Sequence, residues 1–537
     1  NLQYEAFVRM VRQYARLEDF FQLDLYQVFI LVFHEFAIFT ALSNVVYNVF
    51  VAVPPTVIGC VNSTTVYNGT TAQRCAAWIE DGMCEPAIEY QFYSVNVEYN
   101  SVCGQQAVTW LDSVIRPIGF TDKAKFSTTM QLLGLAISCI FAGQLSDTYG
   151  RKRLLLVCFA FTTLLSVVSS FSPSIDFFIL SRFAVMLFVG AITIVTAIFV
   201  IETFPPKHRV WMGTVITWAP NYLLFSLAAY LTGNWRQLTW VSAAGSLLAF
   251  LTLLFLEESP KFLIQKRRKD EAIKAICGVN RFNSSRATLT EIREVVAREC
   301  GGDGVPLIDK GEAVVVEKQT TYTFYHLYST KTFAARILVT SFSQFALNVV
   351  TYGLMFNMHS LIGSLYTNMA LSGALRWIVG ATVALLDHFG KDAIGRRKMH
   401  LITFGSVTAC LTAIFAVYLT GLSTDLQLVI RALALLAFGV TGCIFLQLAI
   451  ITSEMFPTGV RSLAASHVNV AGRLGTIAGP NAFVLTFGFE GLPYGILSAL
   501  SIAEIVLFLC VIPETKGVAL PNTMPDKKIV KSKSAPC

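Results

Sequence analysis

The sequence predicts an all-α membrane protein: twelve transmembrane helices in two six-helix halves, with a large extracellular loop after the first helix and a cytosolic helical insert between the halves. Three observations carry that prediction. The 537 residues are 54% hydrophobic and only 14% charged, against about 25% charged in soluble domains. Apolar runs such as 154–171 and 183–201 each approach the roughly 20 residues needed to cross about 30 Å of hydrocarbon. Between two such runs lies a charged turn, Gly143-Gln-Leu-Ser-Asp-Thr-Tyr-Gly-Arg-Lys-Arg153, and its pattern returns 245 residues later as Asp392, Gly395, Arg396, Arg397 and Lys398.

Taken in order, 1–25 is a largely polar stretch without a signal-peptide pattern, so the first span is expected to direct insertion and leave the N-terminus in the cytosol. The first half covers 26–256. Its first span runs over about 26–53, and a polar loop at 54–126 carries the acidic group Glu80, Asp81, Glu85 and Glu89. Five further spans fall at roughly 127–145, 154–172, 177–201, 211–232 and 238–256. The insert, 257–332, reads as helical in pieces, notably 261–277 and 289–299, and its Lys266-Arg-Arg-Lys269 run reads as a solvated helix face. The second half, 333–513, holds spans at roughly 333–356, 360–386, 399–420, 426–452, 463–486 and 492–512, and a basic tail occupies 514–537.

The net charge of +7, from 41 Lys and Arg against 34 Asp and Glu, sits in the loops. The positive-inside rule accounts for it without a nucleic-acid partner. With both termini inside, residues 151–153, 207–209, 257–332, 391–398, Arg461 and the tail all face the cytosol. The opposite short loops near 173–176, 357–360, 421–425 and 487–491 contain no Lys or Arg, and Arg236 is the exception to the pattern. The plasma membrane is the expected location. Of twelve cysteines, Cys60, Cys75, Cys84 and Cys103 share the first loop, which predicts two disulfides with three possible connectivities. Glycosylation is expected at Asn62 and Asn68, whose sequons lie in the same loop, and not at Asn283 in the insert.

The duplication extends beyond the charged turn. Glu202-Thr-Phe-Pro-Pro-Lys-His-Arg209 recurs 252 residues later as Glu454-Met-Phe-Pro-Thr-Gly-Val-Arg461. Arg182 is matched by Arg431, and Glu258-Ser-Pro by Glu514 after Pro513. Four motifs in one order make two similar halves. Each half therefore gathers acids and bases at one end of its spans: Asp147, Arg151, Glu202, Arg209 and Glu258 in the first, Asp392, Arg396, Glu454, Arg461 and Glu514 in the second. Charges at a span end are costly unless paired or hydrated. Pairing would tie the cytosolic ends of a half together and hydration would release them, the behaviour of a gate that favours the outward-open state; the alternative is fixed anchoring of the helix ends by solvated charges.

These motifs, with Glu258-Ser-Pro-Lys-Phe-Leu263 and Pro513-Glu-Thr-Lys-Gly-Val-Ala-Leu-Pro521, resemble the major facilitator superfamily. More narrowly, the chain resembles its organic cation/anion/zwitterion transporter family over nearly its whole length. It departs from that family in the first loop, where four cysteines stand in place of the six often found. The resemblance implies alternating access with substrate held near the bilayer midplane.

Candidate substrate contacts are therefore polar and aromatic residues in mid-span. Arg473 lies in the eleventh span amid small residues, and Arg376 is deep in the eighth. An intramembrane arginine is costly unless paired or facing water, and its planar fork suits a carboxylate or sulfonate. The resemblance implies anionic substrates, because anion-type members carry arginine at the position of Arg473 and cation-type members an aspartate. Another basic position of anion-type members falls on Gly380, one turn from Arg376, and Arg376 itself stands where the family usually carries an acid. Trp218 and Tyr222 share one face of the fifth span at i, i+4. Tyr352 and Phe445 match aromatic positions of anion-type relatives. Asn44, Asn48 and Gln447 are polar candidates, and Glu35 in the first span is an acid able to neutralise an arginine, bind a cation or carry a coupling proton.

No zinc spacing and no phosphate loop is present, so an enzyme, a metal site, a cofactor and direct ATP drive are not expected. The predicted function is secondary transport of amphipathic organic anions, with a small organic ion, a counter-ion or exchanged anion and the lipid bilayer as partners. The alternatives are an organic cation or zwitterion carrier, and a receptor of the same fold that binds without moving its ligand.

Overall fold

The computed structural model describes residues 17–21, 23–61, 66–67, 69, 71–103, 111–115, 123–205, 217–283, 287–300, 323–389, 395–486 and 488–516. Ten described helices are long and apolar enough to cross a membrane. They are Leu25–Val51, Lys123–Tyr149, Arg151–Ser170, Ile175–Thr203, Trp235–Leu254, Lys331–Phe356, Leu365–Phe389, Arg396–Leu419, Gln427–Met455 and Leu492–Val511. The other two predicted spans are helical as well. The fifth is described as Trp218–Thr232, and the eleventh, Thr458–Ala482, is less apolar because Arg461, His467 and Arg473 lie within it. In chain order these twelve helices are the first to the twelfth spans.

The residues cluster into two compact units, and their limits run through helices: one takes in Asn1–Tyr47, Leu133–Asn221 and Asn234–Glu317, the other Asn48–Leu132, Tyr222–Gly233 and Lys318–Cys537. In the first unit, Phe33 of the first span meets Phe159 and Phe199 edge-on, each with ring centroids 5.9 Å apart. Lipid is as apolar as such a core, so association of spans rests on close packing and interhelical hydrogen bonds. Both occur here. Gly245 leaves room for the Phe39 ring, and Thr163 Oγ1 donates to Ser246 Oγ at 3.0 Å.

The insert begins with the helices Pro260–Gln265, Lys269–Phe282 and Leu289–Cys300. Their apolar faces (Phe262, Leu263, Ile276, Val279, Ile292, Val295) are buried in the same core as the first span. Asn283 is occupied there: its Oδ1 accepts from the Tyr26 backbone N–H at 2.8 Å, one of the donors a helix start leaves open. Arg236, the exception in the charge pattern, is accounted for in the same way. Its guanidinium donates to the Ser170 and Ser172 carbonyls at the end of the third span, where helix carbonyls lack partners and a cation is favoured.

In the second unit, the seventh and eleventh spans approach closely because glycines face the contact. A Cβ at Gly479 would lie 2.7 Å from the Val349 carbonyl oxygen, and one at Gly475 would overlap that of Phe345. Thr476 Oγ1 donates to Asn348 Oδ1 at 3.0 Å across the same seam.

The loop after the first span adds a small β element to the helical architecture. β1 (Thr56–Cys60) pairs antiparallel with β2 (Pro86–Glu89), and the helix Thr71–Glu80 packs on them. A lone two-stranded sheet is marginal in water. Two disulfides staple it, Cys60–Cys84 and Cys75–Cys103, which selects one of the three connectivities. Val57, Tyr67, Trp78 and Val102 form its core, and Trp78 Nε1–H donates to the Cys84 carbonyl at 2.9 Å. The sequons Asn62 and Asn68 lie outside the described residues. Gln91, past β2, reaches the start of the eighth span, where its Oε1 accepts from Leu365 N–H at 3.0 Å and its carbonyl from Tyr366 Oη at 2.8 Å. Tyr366 also stacks on Phe50, and its carbonyl accepts from Ser226 Oγ at 2.6 Å. The loop end of this unit is thus latched by residues of the first, fifth and eighth spans.

Candidate functional site

The repeated motifs build the same arrangement twice. In the first half, Arg151 follows Gly150, and the third span starts there without a side-chain cap of its own. Glu258 supplies the cap: its Oε1 accepts from the backbone N–H groups of Arg151 and Lys152, both at 3.0 Å. A carboxylate at a helix N-terminus is favoured by both the free donors and the dipole. The Arg151 guanidinium, buried, pairs with Asp147 at 3.0 Å and Glu202 at 3.2 Å, and lies 4.2 Å over the Phe262 ring. One arginine therefore joins the second, third and fourth spans to the insert. In the second half, Glu514 accepts from the backbone N–H groups of Arg396 at 2.7 Å and Arg397 at 3.2 Å, and the Arg396 side chain is 3.7 Å from Glu454. Glu454 also accepts from Thr515 Oγ1 at 2.6 Å. Arg461 turns to the Phe456 carbonyl at 3.4 Å. Arg209 and Asp392 lie outside the described residues.

Inside the second unit, Arg376 is enclosed by rings. Its guanidinium carbon is 5.9 Å from the Tyr222 centroid, 5.0 Å from Phe438 and 5.8 Å from Phe445. Gly442 makes room, since a Cβ there would come within 2.5 Å of Arg376 Cγ and Nε. Arg376 Nη1 is buried and has no hydrogen-bond partner among the described residues. Tyr222 and Phe438 meet edge-on at 5.8 Å, and the Tyr222 hydroxyl donates to Met355 Sδ at 3.6 Å. Cation–π contacts stabilise such a guanidinium by about 0.5–2 kcal/mol without neutralising it. Among the described residues no acid pairs with it.

The structure thus brings Tyr222, Arg376 and Phe445 together. Tyr352, half-buried, stacks on Phe356 at 6.5 Å, one turn from Met355. Arg473 is half-buried and makes no hydrogen bond or ion pair with a described residue. Gln447 occupies another face of its helix: Thr403 Oγ1 donates to its Oε1 at 3.0 Å, and its Nε2 is buried without a partner among the described residues. Asn44 is fully buried and holds Arg182, accepting from its Nη1 and Nη2 at 3.1 Å through the side-chain and backbone oxygens. Arg182 also lies 4.2 Å over Tyr47. Asn48 donates to Ser127 and Thr128 at 3.2 and 3.3 Å, and lines a small pocket with Lys125, His359 and Asn481. Glu35 accepts from Asn221 Nδ2 at 3.0 Å, and Trp218 stands half-buried one turn before Tyr222.

Phe438 and Met355 were not among the sequence candidates. Phe438 is seven residues before Phe445 on one face of the tenth span, but with 41 phenylalanines spacing alone does not rank it. Glu504 also escaped notice, although a carboxylate inside a span is a signal in itself.

A polytopic helical chain with duplicated ion-paired ends, and with an arginine inside one unit that no described acid pairs, is a membrane transporter of the major facilitator fold. The chain belongs to the sugar (and other) transporter family, whose model matches residues 61–524. It is 25% identical over 453 residues to solute carrier family 22 member 11 of Homo sapiens, covering 84% of this chain and 77% of that protein. It is 23% identical over 472 residues to solute carrier family 22 member 6 of Rattus norvegicus, covering 86% and 78%. These relatives uphold the resemblance to the organic cation/anion/zwitterion transporters. Among solved structures, the inward open conformation of the xylose transporter XylE from E. coli superposes with a TM-score of 0.58 at 14% identity, covering 92% of this chain and 98% of that one. At that identity the match speaks for the fold. The family and the relatives make the chain a transporter and not an enzyme.

Proposed function

We propose that this chain moves amphipathic organic anions across the plasma membrane by alternating access, with both termini in the cytosol and halves at 26–256 and 333–513. The observation that supports an anion is Arg376, a guanidinium among three rings with a buried, unpartnered Nη1 and no acid beside it among the described residues. Flat anions suit it: the ring system stacks on Tyr222, Phe438 and Phe445 while the acid group takes the free fork. Arg473 supplies a second unpaired cation on the eleventh span. The duplicated ion pairs are the cytosolic gate, closed by pairing and opened by hydration. An exchanged anion or a counter-ion completes the cycle.

The test is uptake of labelled 1-naphthalenesulfonate and tetraethylammonium by proteoliposomes. Both are permanently charged, so neither crosses as a neutral species. Arg473→Asp and Arg376→Gln are expected to lower anion uptake at least tenfold, and anion uptake preserved in both defeats the charge argument. Binding without flux favours the receptor. A cation carrier has one observation on its side: Glu35 is held by an amide rather than a base. Saturable tetraethylammonium uptake abolished by Glu35→Gln, with no anion uptake, makes that reading the correct one.

A further inference from the structure

His400 and Glu504 meet in the interior of the second half, on the ninth and twelfth spans. Both side chains are fully buried, and His400 Nε2 is 3.0 Å from Glu504 Oε1. The Ser343 hydroxyl of the seventh span donates to the same oxygen at 2.7 Å. The remaining atoms, His400 Nδ1 and Glu504 Oε2, are buried without a hydrogen-bond partner among the described residues, and the imidazole is stacked 4.0 Å from the Phe508 ring.

The fold does not require these residue types. Four residues after the repeated arginine, where the second half carries His400, the first half carries Leu155, fully buried. A carboxylate facing a neutral imidazole leaves one net negative charge in a medium that solvates it poorly. One proton cancels that charge, whichever of the two groups holds it.

Arg396, His400 and Thr403 lie at i, i+4 and i+7 on the ninth span, which places the pair about 6 Å, one turn, from the motif end. Ser343 rides on the seventh span, and that span is clamped to the eleventh, carrier of Arg473, through Gly475, Gly479 and the Asn348–Thr476 bond. A shift of this helix pair against the twelfth span would part the Ser343 hydroxyl from Glu504. Solute and proton sites then bias one another reciprocally. The other ionisable groups on the elements around the pair are Arg396 and Arg397 one turn nearer the motif end, Arg336 two turns along the seventh span, Glu454 opposite Arg396, His467 against Ser341, and the exposed Cys510. None of them makes a hydrogen bond to the pair among the described residues.

We propose that His400 and Glu504 form the binding site of a coupling proton, taken up with the solute and released with it. The proposal rests on the transporter reading above. Its test uses proteoliposomes with a pH-sensitive dye inside and 1-naphthalenesulfonate added outside. Wild type is expected to acidify the lumen as anion enters. Glu504→Gln and His400→Gln are expected to lose that proton movement at least tenfold while still exchanging labelled for unlabelled anion, a process needing no net proton release. Anion uptake without proton movement in wild type overturns the proposal, and so does unchanged proton movement in both variants. Infrared difference spectra of the detergent-solubilised protein between pH 4 and pH 9 read the site without any transport. A carboxyl or imidazole band present in wild type and absent from Glu504→Gln is expected, and its absence from wild type overturns the site whether or not the chain transports the probe.

Discussion

Gly150 has φ +103°, a conformation other residues adopt at a cost, and a Cβ there would also lie 2.5 Å from Glu258 Oε2. Gly395 shows the second constraint alone: its φ is an ordinary −75°, but a Cβ would overlap the Glu514 carboxylate. Gly150→Ala is therefore expected to destabilise by about 2–4 kcal/mol and Gly395→Ala by about 1–3 kcal/mol. Gly143→Ala is the control, because its Cβ meets nothing within 4 Å in mid-helix and alanine gains about 0.5–1 kcal/mol there. Thermal melting in detergent ranks the three, and equal losses at Gly150 and Gly143 contradict the capping geometry. At the cage, Arg376→Lys keeps the charge but replaces the planar fork with a hydrated ammonium. Anion affinity is expected to fall about tenfold, about 1.4 kcal/mol, with the maximal rate less affected. An unchanged half-saturation concentration for 1-naphthalenesulfonate removes Arg376 from the site.

Between the seventh and eleventh spans, packing rather than charge sets the geometry. Gly479→Val places two extra methyl groups where a single Cβ already lies 2.7 Å from the Val349 carbonyl oxygen. The spans must separate, and the expected cost is about 1–3 kcal/mol. Because Tyr352 and Arg473 ride on these helices, anion uptake is expected to fall in the same variant, checked by melting and uptake on one preparation. The glycines around Arg473 announced close approach from sequence alone. Which helix approached was not legible, since small residues mark a contact without naming its partner. The spans were legible to within a few residues because hydrophobic length and loop charge are local quantities. The cage was only half legible: Arg376 is conspicuous as a charge in an apolar run, but three rings out of 41 phenylalanines and 18 tyrosines are chosen by tertiary packing. The loop sheet was hidden for a similar reason. Its strands have four and five residues, and its stability comes from two disulfides whose pairing no spacing rule selects.

Duplication of the chain implies equivalence of its halves, and the two sets of ion pairs show how far they have diverged. Arg151 is 4% exposed and satisfies two acids, a carbonyl and a ring. Arg396 has a side chain 22% exposed and lies 3.7 Å from Glu454, an acid it shares with Thr515. Removing one partner of a buried pair leaves a stranded charge and costs about 3–5 kcal/mol. Losing a pair open to solvent costs about 0–1 kcal/mol. Arg151→Ala is therefore expected to lower the melting midpoint by several degrees and Arg396→Ala by about one or two. The same inequality bears on the cycle. If hydration of these pairs opens the motif end, the second half yields first, because its arginine side chain is the more exposed, 22% against 5%. A cysteine-reactive, membrane-impermeant label applied from the cytosolic side tests that order. With Thr403→Cys on the ninth span and Phe159→Cys on the third as reporters, labelling at residue 403 is expected to rise in Arg396→Gln at unchanged labelling of residue 159. Equal rises at both residues mean that the halves open together and that the unequal burial of the two arginines has no bearing on the order of opening.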